Sequence, residues 1–188
     1  MKIIVTNVCD TWDKVFGGSG SNDVIFSIQQ TADLGYIVAG GTESKSAGYY
    51  DAWVFKLDFK GELEWEKTFG GSEFDEAISI QQTTDSGYIV AGTYSKGAGQ
   101  FYSWVFKLDS DGVFVWQKNY FSGTSGSESH SIQQTTDVGY ILATIGYSNP
   151  SLETLKMILQ ESEKKEDLKE RVLFKEILFN YLASGGSV

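Results

Sequence analysis

One phrase recurs three times in this chain at a fixed interval. Ser27-Ile28-Gln29-Gln30-Thr31 returns as Ser79-Ile80-Gln81-Gln82-Thr83 and as Ser131-Ile132-Gln133-Gln134-Thr135, 52 residues apart each time. Each copy runs into an Asp-x-Gly-Tyr turn: Asp33 to Tyr36, Asp85 to Tyr88, Asp137 to Tyr140. Self-similarity at such a period marks a repeat architecture, in which one unit cannot bury its apolar face alone and neighbours must stack.

The second copy gives the anatomy of a unit. Glu76 to Thr83 reads as a strand (A) stopped by Asp85-Ser86-Gly87, and Tyr88 to Thr93 as a second strand (B). A Gly-containing loop, Ser95 to Tyr102, leads to a third strand (C), Ser103 to Leu108. The tight turn Asp109-Ser110-Asp111-Gly112 leads to a fourth (D), Val113 to Tyr120. Four short strands joined by hairpin signals predict one antiparallel sheet. Composition agrees: all five Trp and 19 of the 21 Gly precede residue 150, and there is one Pro. That is strand-and-turn chemistry.

Four-stranded units at a period of about 40–50 residues suit propeller blades. Strand B ending in Ala39-Gly40-Gly41, Trp53 in strand C, and Trp65 after the next turn resemble a kelch-type blade. The fuller pattern is similar to the β-propeller repeats of bacterial and archaeal surface proteins. It comprises Trp65-Glu66-Lys67-Thr68-Phe69-Gly70-Gly71-Ser72, Asp75, the Ser-Ile-Gln-Gln-Thr phrase, Asp-x-Gly-Tyr-Ile-Val-Ala-Gly, and Val54-Phe55-Lys56-Leu57-Asp58. The resemblance covers about residues 1–148. It implies a propeller fold and, for many members, export. It implies no activity, because such folds host unrelated roles.

The repeat register starts inside a unit. Trp12-Asp13-Lys14-Val15-Phe16-Gly17-Gly18 matches Trp65 to Gly71, a strand D, and Lys2 to Asn7 sits where a strand C belongs. The expected order is CD-ABCD-ABCD-AB. Strands A and B of residues 128–147 are then expected to pair with C and D of residues 2–17. This makes three blade equivalents, whereas closed propellers have about 4–8. Three resolutions stay open: two chains closing one six-bladed ring, a fragment of a longer protein, or a tail that covers the exposed edge.

Past Ser148 the repeat stops. Asn149-Pro150 reads as a helix N-cap with Pro in the first turn, and Gly185-Gly186 as a stop. Leu152, Leu155, Ile158 and Leu159 form a stripe at helical spacing. Val172 to Leu182 is apolar nearly all round, so it must bury itself against something. Residues 149–188 are therefore expected to be an α-helical tail, a hairpin or one bent helix. Its assembly candidates are Leu155, Ile158, Leu159, Val172, Phe174, Ile177, Leu178 and Tyr181. The tail either covers a blade edge or drives oligomerisation.

The formal net charge is −10. Residues 1–149 hold nine Lys and no Arg against 18 acids, which argues against nucleic acid and anionic membranes as partners. One cysteine, Cys9, leaves no internal disulfide and no multi-cysteine zinc site. Met1 to Asn7 has too short an apolar run for a signal peptide, and no stretch approaches the roughly 20 apolar residues of a membrane span.

No catalytic constellation, metal cluster or phosphate loop stands out, and no cofactor is expected. The Asp-x-Gly turns (Asp33, Asp85, Asp137, Asp58, Asp109) read as tight hairpins. Asp109-Ser110-Asp111-Gly112 lacks the later ligands and closing Glu of a calcium loop. One Gln of each pair is expected to bond the neighbouring unit. His130 replaces Phe26 and Ile78 and is expected at a packing position. Ligand contacts belong where repeats diverge, in the B–C loops with Tyr49, Tyr50, Phe101 and Tyr102. These aromatics can stack on sugar rings, anchor a partner, or pack the rim. Two function classes follow: a non-enzymatic interaction or self-assembly scaffold, and a carbohydrate-binding propeller.

Overall fold

A computed structural model describes residues 2–6, 11–19, 21–121, 126–147, 154–160 and 173–175. The described chain is mainly β and antiparallel. Strands β1 (Lys2–Thr6) and β2 (Thr11–Val15) form a hairpin. The first unit is the four-stranded meander β3 (Asp23–Gln30), β4 (Tyr36–Thr42), β5 (Asp51–Leu57) and β6 (Leu63–Phe69). The second is β7 (Asp75–Gln82), β8 (Tyr88–Ser95), β9 (Phe101–Leu108) and β10 (Phe114–Tyr120). The third holds β11 (Gly126–Gln134), β12 (Tyr140–Tyr147), β13 (Thr154–Gln160) and β14 (Leu173–Lys175).

Each turn between a unit's first two strands is built the same way. Thr31 and Thr83 donate their hydroxyls to Asp33 and Asp85, and the N–H groups of Gly35 and Gly87 bond the same carboxylates at 3.1 Å. The residue after the Asp is left-handed, at φ 69° in Leu34 and Ser86 and 65° in Val138. Each first strand carries a bulge at one repeat position, passing over Phe26, Ile78 and His130. His130 is exposed there, so the structure does not bear out the packing position expected for it.

The units stack face to face. Ile37, Ala39, Ala52 and Val54 of the first unit pack with Ala77, Ile80, Tyr88, Val90, Trp104 and Phe106 of the second. Ile89, Ala91 and Val105 on the second unit's other face meet Ile132, Tyr140 and Leu142 of the third. Both faces of β4, β5, β8 and β9 are covered, which is why these strands read as near-continuous apolar runs. The tryptophans of the outer strands seal the seams. Trp65 meets Tyr88 edge-on at 5.8 Å and Trp116 meets Tyr140 at 6.0 Å.

The fourth strand reaches the next unit through a Gly-Gly clamp. The N–H of Gly71 donates to Asp75 Oδ2 at 2.7 Å, as Gly18 does to Asp23. Gly70 sits at φ +154°, and a Cβ there would lie 2.5 Å from Asp75 Oδ2 and 2.6 Å from Asp51 Oδ1.

Two expectations are corrected. Thr154–Gln160, read as helix, is strand β13, and Leu173–Lys175 is β14. The apolar spacing of Leu155, Ile158 and Leu159 serves either period, and the open edge of β12 offers a ladder that a helix would leave empty. Leu155, Ile158 and Leu159 thus lie in β13 and Phe174 in β14. Val172, Ile177, Leu178 and Tyr181 lie outside the described residues, as do Cys9, Asn149 and Pro150. Second, β12 pairs with β13, not with the N-terminal hairpin, and β1 pairs only with β2 among the described residues.

Gly70→Ala should therefore cost about 3 kcal/mol, whereas Gly99→Ala, at φ +73° with nothing within 4 Å, should cost about 1 kcal/mol. Urea unfolding of the two variants checks the contrast. Equal losses would mean that the clamp adds nothing.

Candidate functional site

The groups repeated most faithfully lie where one unit meets the next. The side chain of Gln29 accepts the backbone N–H of Gln82 at 2.7 Å, and Gln81 accepts that of Gln134 at 2.6 Å. Ser27 and Ser79 accept the N–H groups of Ile80 and Ile132 at 3.4 and 3.1 Å. In return, Gln82 accepts the N–H of Ala32 at 2.8 Å, and Gln134 that of Thr84 at 2.9 Å. Apart from the single Gly126–Phe101 bridge that joins β11 to β9, each first strand pairs only with the second strand of its unit among the described residues, so its other outward N–H groups would otherwise lack partners. The earlier unit caps them with side chains. In the middle pair both glutamines accept from a neighbouring unit, one more than expected from sequence, whereas in the outer pairs only Gln29 and Gln134 do so among the described residues.

This ladder stops at two open faces. On the third unit, the next acceptors in series are Ser131 and Gln133. Both are exposed, and neither side chain makes a hydrogen bond among the described residues. On the first unit, the donors in series are the N–H groups of Ile28 and Gln30. No Gln or Ser side chain of an earlier segment bonds them among the described residues, and the Gln30 side-chain amide turns back to Leu34 O at 3.4 Å. The same face exposes Val24, Phe26 and Ile28, the last at 45 %, while its repeat equivalent Ile80 is 5 % exposed beneath the preceding unit.

Charge is buried beside the first junction. Asp51 and Asp75 are 2 % and 0 % exposed, and Asp51 Oδ1 has no donor among the described residues. Burial pushes the Asp75 carboxyl up. Hydrogen bonds from Ser95 and Gly71 oppose this, and the charges of Asp51 and Glu73 add to it. At the second junction the corresponding residues are Ser103 and Ser127, bonded at 3.2 Å. Nothing in the repeat pattern announces the acid pair, because it occurs once. Glu76 is pushed up to about 7 by burial and then by Glu128, one unit on.

The lysines of the third strands bind the turns instead. Lys56, almost fully buried, bridges Asp33 at 2.9 Å and Glu64 at 3.0 Å, and Lys107 bridges Asp85 at 3.1 Å. The repeated Val-Phe-Lys-Leu was the available signal for these pairs. No group of three or more His, Cys, Asp or Glu suited to a metal ion occurs among the described residues.

The loop aromatics do not gather into one platform. Tyr50 is 7 % exposed and stacks on Phe74 at 4.8 Å and 5°. Burial, then the charges of Glu76, Asp23 and Glu43, push its hydroxyl up to about 12. Tyr49 is exposed, with its ring 6.5 Å from Phe74. Phe101 is half-buried and its backbone bridges Gly126 of the next unit. Tyr102 is half-buried, packs on Phe121 at 4.9 Å, and carries Lys96 over its face at 4.7 Å. Three of the four thus help to close a rim or a junction.

No protein-family model matches the chain, and no curated protein matches it. No helix among the described residues is long and apolar enough to cross a membrane.

A raised carboxyl binds its proton more tightly folded than unfolded, so its contribution falls as pH rises from its ordinary value through its folded one. Between pH 4.5 and about 7, Glu76 should therefore weaken the fold. Glu76→Gln should gain about 1–2 kcal/mol over the parent at pH 8 and nothing at pH 4. Urea unfolding at both pH values tests this, and equal stabilities at pH 8 would refute the buried-acid assignment.

Proposed function

We propose that this chain is a non-enzymatic β-propeller scaffold for self-assembly, and that two copies close one six-bladed ring. The observation that carries this reading is the interrupted ladder. Ser131 and Gln133 on one face are the acceptors that Ile28 and Gln30 on the other face lack, in the register used twice within the chain. The acceptor face of one copy fits the donor face of another, and two such contacts return to the start. The exposed Val24, Phe26 and Ile28 would be covered as Ile80 is now. Six blades lie within the range of about 4–8 for closed propellers, and the kelch-like pattern of the sequence supports the same fold. The repeated polar groups serve unit-to-unit bonds, which favours a scaffold over a site of chemistry. Tyr49 is the one loop candidate that stays open, which leaves carbohydrate binding without a platform of stacked rings.

Light scattering behind size exclusion, over a concentration series of the full chain, tests the ring. The mass should rise toward a dimer, and Phe26→Asp should hold it at a monomer. Gln133→Ala should weaken the dimer while leaving the urea midpoint of the monomer unchanged. Gln81→Ala, which orphans the N–H of Gln134, should cost the monomer about 1–2 kcal/mol. A monomer at every concentration would overturn the two-chain ring.

A further inference from the structure

Strand β13 occupies the edge of β12 in the register of a third strand. Tyr36 pairs with Leu57, Tyr88 with Leu108, and Tyr140 with Gln160. Its sequence, however, does not follow the third strands of the first two units. At the positions of Trp53-Val54-Phe55-Lys56-Leu57 it carries Lys156-Met157-Ile158-Leu159-Gln160.

Strand β1 occupies the third-strand position before the first unit. Its hairpin partner β2 meets that unit as β6 meets the second. Trp12 meets Tyr36 at 5.7 Å where Trp65 meets Tyr88 at 5.8 Å, and Phe16 meets Phe55 at 5.0 Å where Phe69 meets Phe106 at 5.1 Å. A Cβ on Gly61 would strike Trp12, as one on Gly112 would strike Trp65. Pairing with β2 places Val5 opposite Trp12, where β5 has Lys56 opposite Trp65. The strand at these positions is Lys2-Ile3-Ile4-Val5-Thr6. Position for position, β1 and β13 share one pattern: lysine, aliphatic, isoleucine, aliphatic, polar. Neither carries the Trp or the Lys of the internal third strands. The second edge of β1 holds no strand among the described residues.

We infer that β13 and the β1 strand of a second copy are alternative occupants of the β12 edge, so that the chain's own tail opposes ring closure until it is displaced. The inference rests on the two-copy ring and names its regulation. In that ring, the second copy's β1–β2 hairpin lies against its own first unit, and the Ser131 and Gln133 ladder brings it to β12. A chain that keeps β13 in place cannot admit it, because one strand edge makes one set of hydrogen bonds.

Two full-length variants test this by dilution in analytical ultracentrifugation. Ile158→Pro removes a ladder donor from β13 and disfavours its pairing. It should tighten the dimer by at least about tenfold, the population-shift effect of removing an internal competitor. Ala143→Cys with Met157→Cys, opposite each other in the β12–β13 register, in a Cys9→Ala background, should lock the tail on. Oxidised, this variant should stay monomeric where the reduced form dimerises, a readout that holds even if Ile158→Pro does not fold. A dimer equally tight in the parent and Ile158→Pro, and present in the oxidised lock, would overturn the competition while leaving the ring intact. Monomers throughout, with the reduced lock included, would instead remove the ring and the competition with it.

Discussion

The structure depends on a loan of hydrogen bonds between units. The first strand of each unit runs along a sheet partner on one side only, apart from the single bridge between Gly126 and Phe101. Its other edge would face solvent or a neighbour with unpaired N–H groups, and the preceding unit supplies Ser and Gln side chains to meet them. Burial follows the same dependence: β4 and β8 are covered on both faces only because neighbours lie on both sides. No unit is complete alone, so stability should be a property of junctions as much as of units.

Charge is arranged around that constraint. The protein is strongly acidic, yet the two buried lysines among the described residues, Lys56 and Lys107, each hold a turn aspartate. These bridges anchor the left-handed turn residues Leu34 and Ser86 against the third strand. Burial pushes Asp33 up, but bonds from Lys56, Thr31 and Gly35 outweigh it and hold the carboxyl at about 2. Asp75 and Glu76 experience the reverse balance, with burial dominant. Acid therefore weakens the turn held by Asp33, while a rise to neutral pH weakens the junction that buries Glu76.

Much of the repeat architecture was legible because it recurs. The second unit's strands fall within one or two residues of the expected spans, since turn chemistry at Asp85-Ser86-Gly87 and Asp109 to Gly112 punctuates them. The Ser-Ile-Gln-Gln phrase pointed to unit contacts for the same reason. Features present once were not legible. The Asp51–Asp75 pair has no echo in the sequence, and Tyr50 looked like a loop aromatic until the bridge to Phe74 buried it. The tail misled by period: Leu155, Ile158 and Leu159 fit one face of a helix, while Leu155, Met157 and Leu159 fit one face of a strand. The β12 edge, a tertiary feature, decided between them.

The ladder also gives the stack a polarity. Along the first strands, side-chain acceptors come from the earlier unit and backbone donors from the later one at both junctions, while at the adjoining turn the direction reverses. Two like ends brought together would set acceptor against acceptor or donor against donor. Any association through these faces would therefore be heterologous, never a symmetric face-to-face pair. Such contacts have two fates: they close when the angles per unit sum to a full turn, or they continue as a filament. A mutation that alters only the twist between units, and touches neither open face, could turn a discrete particle into a fibre.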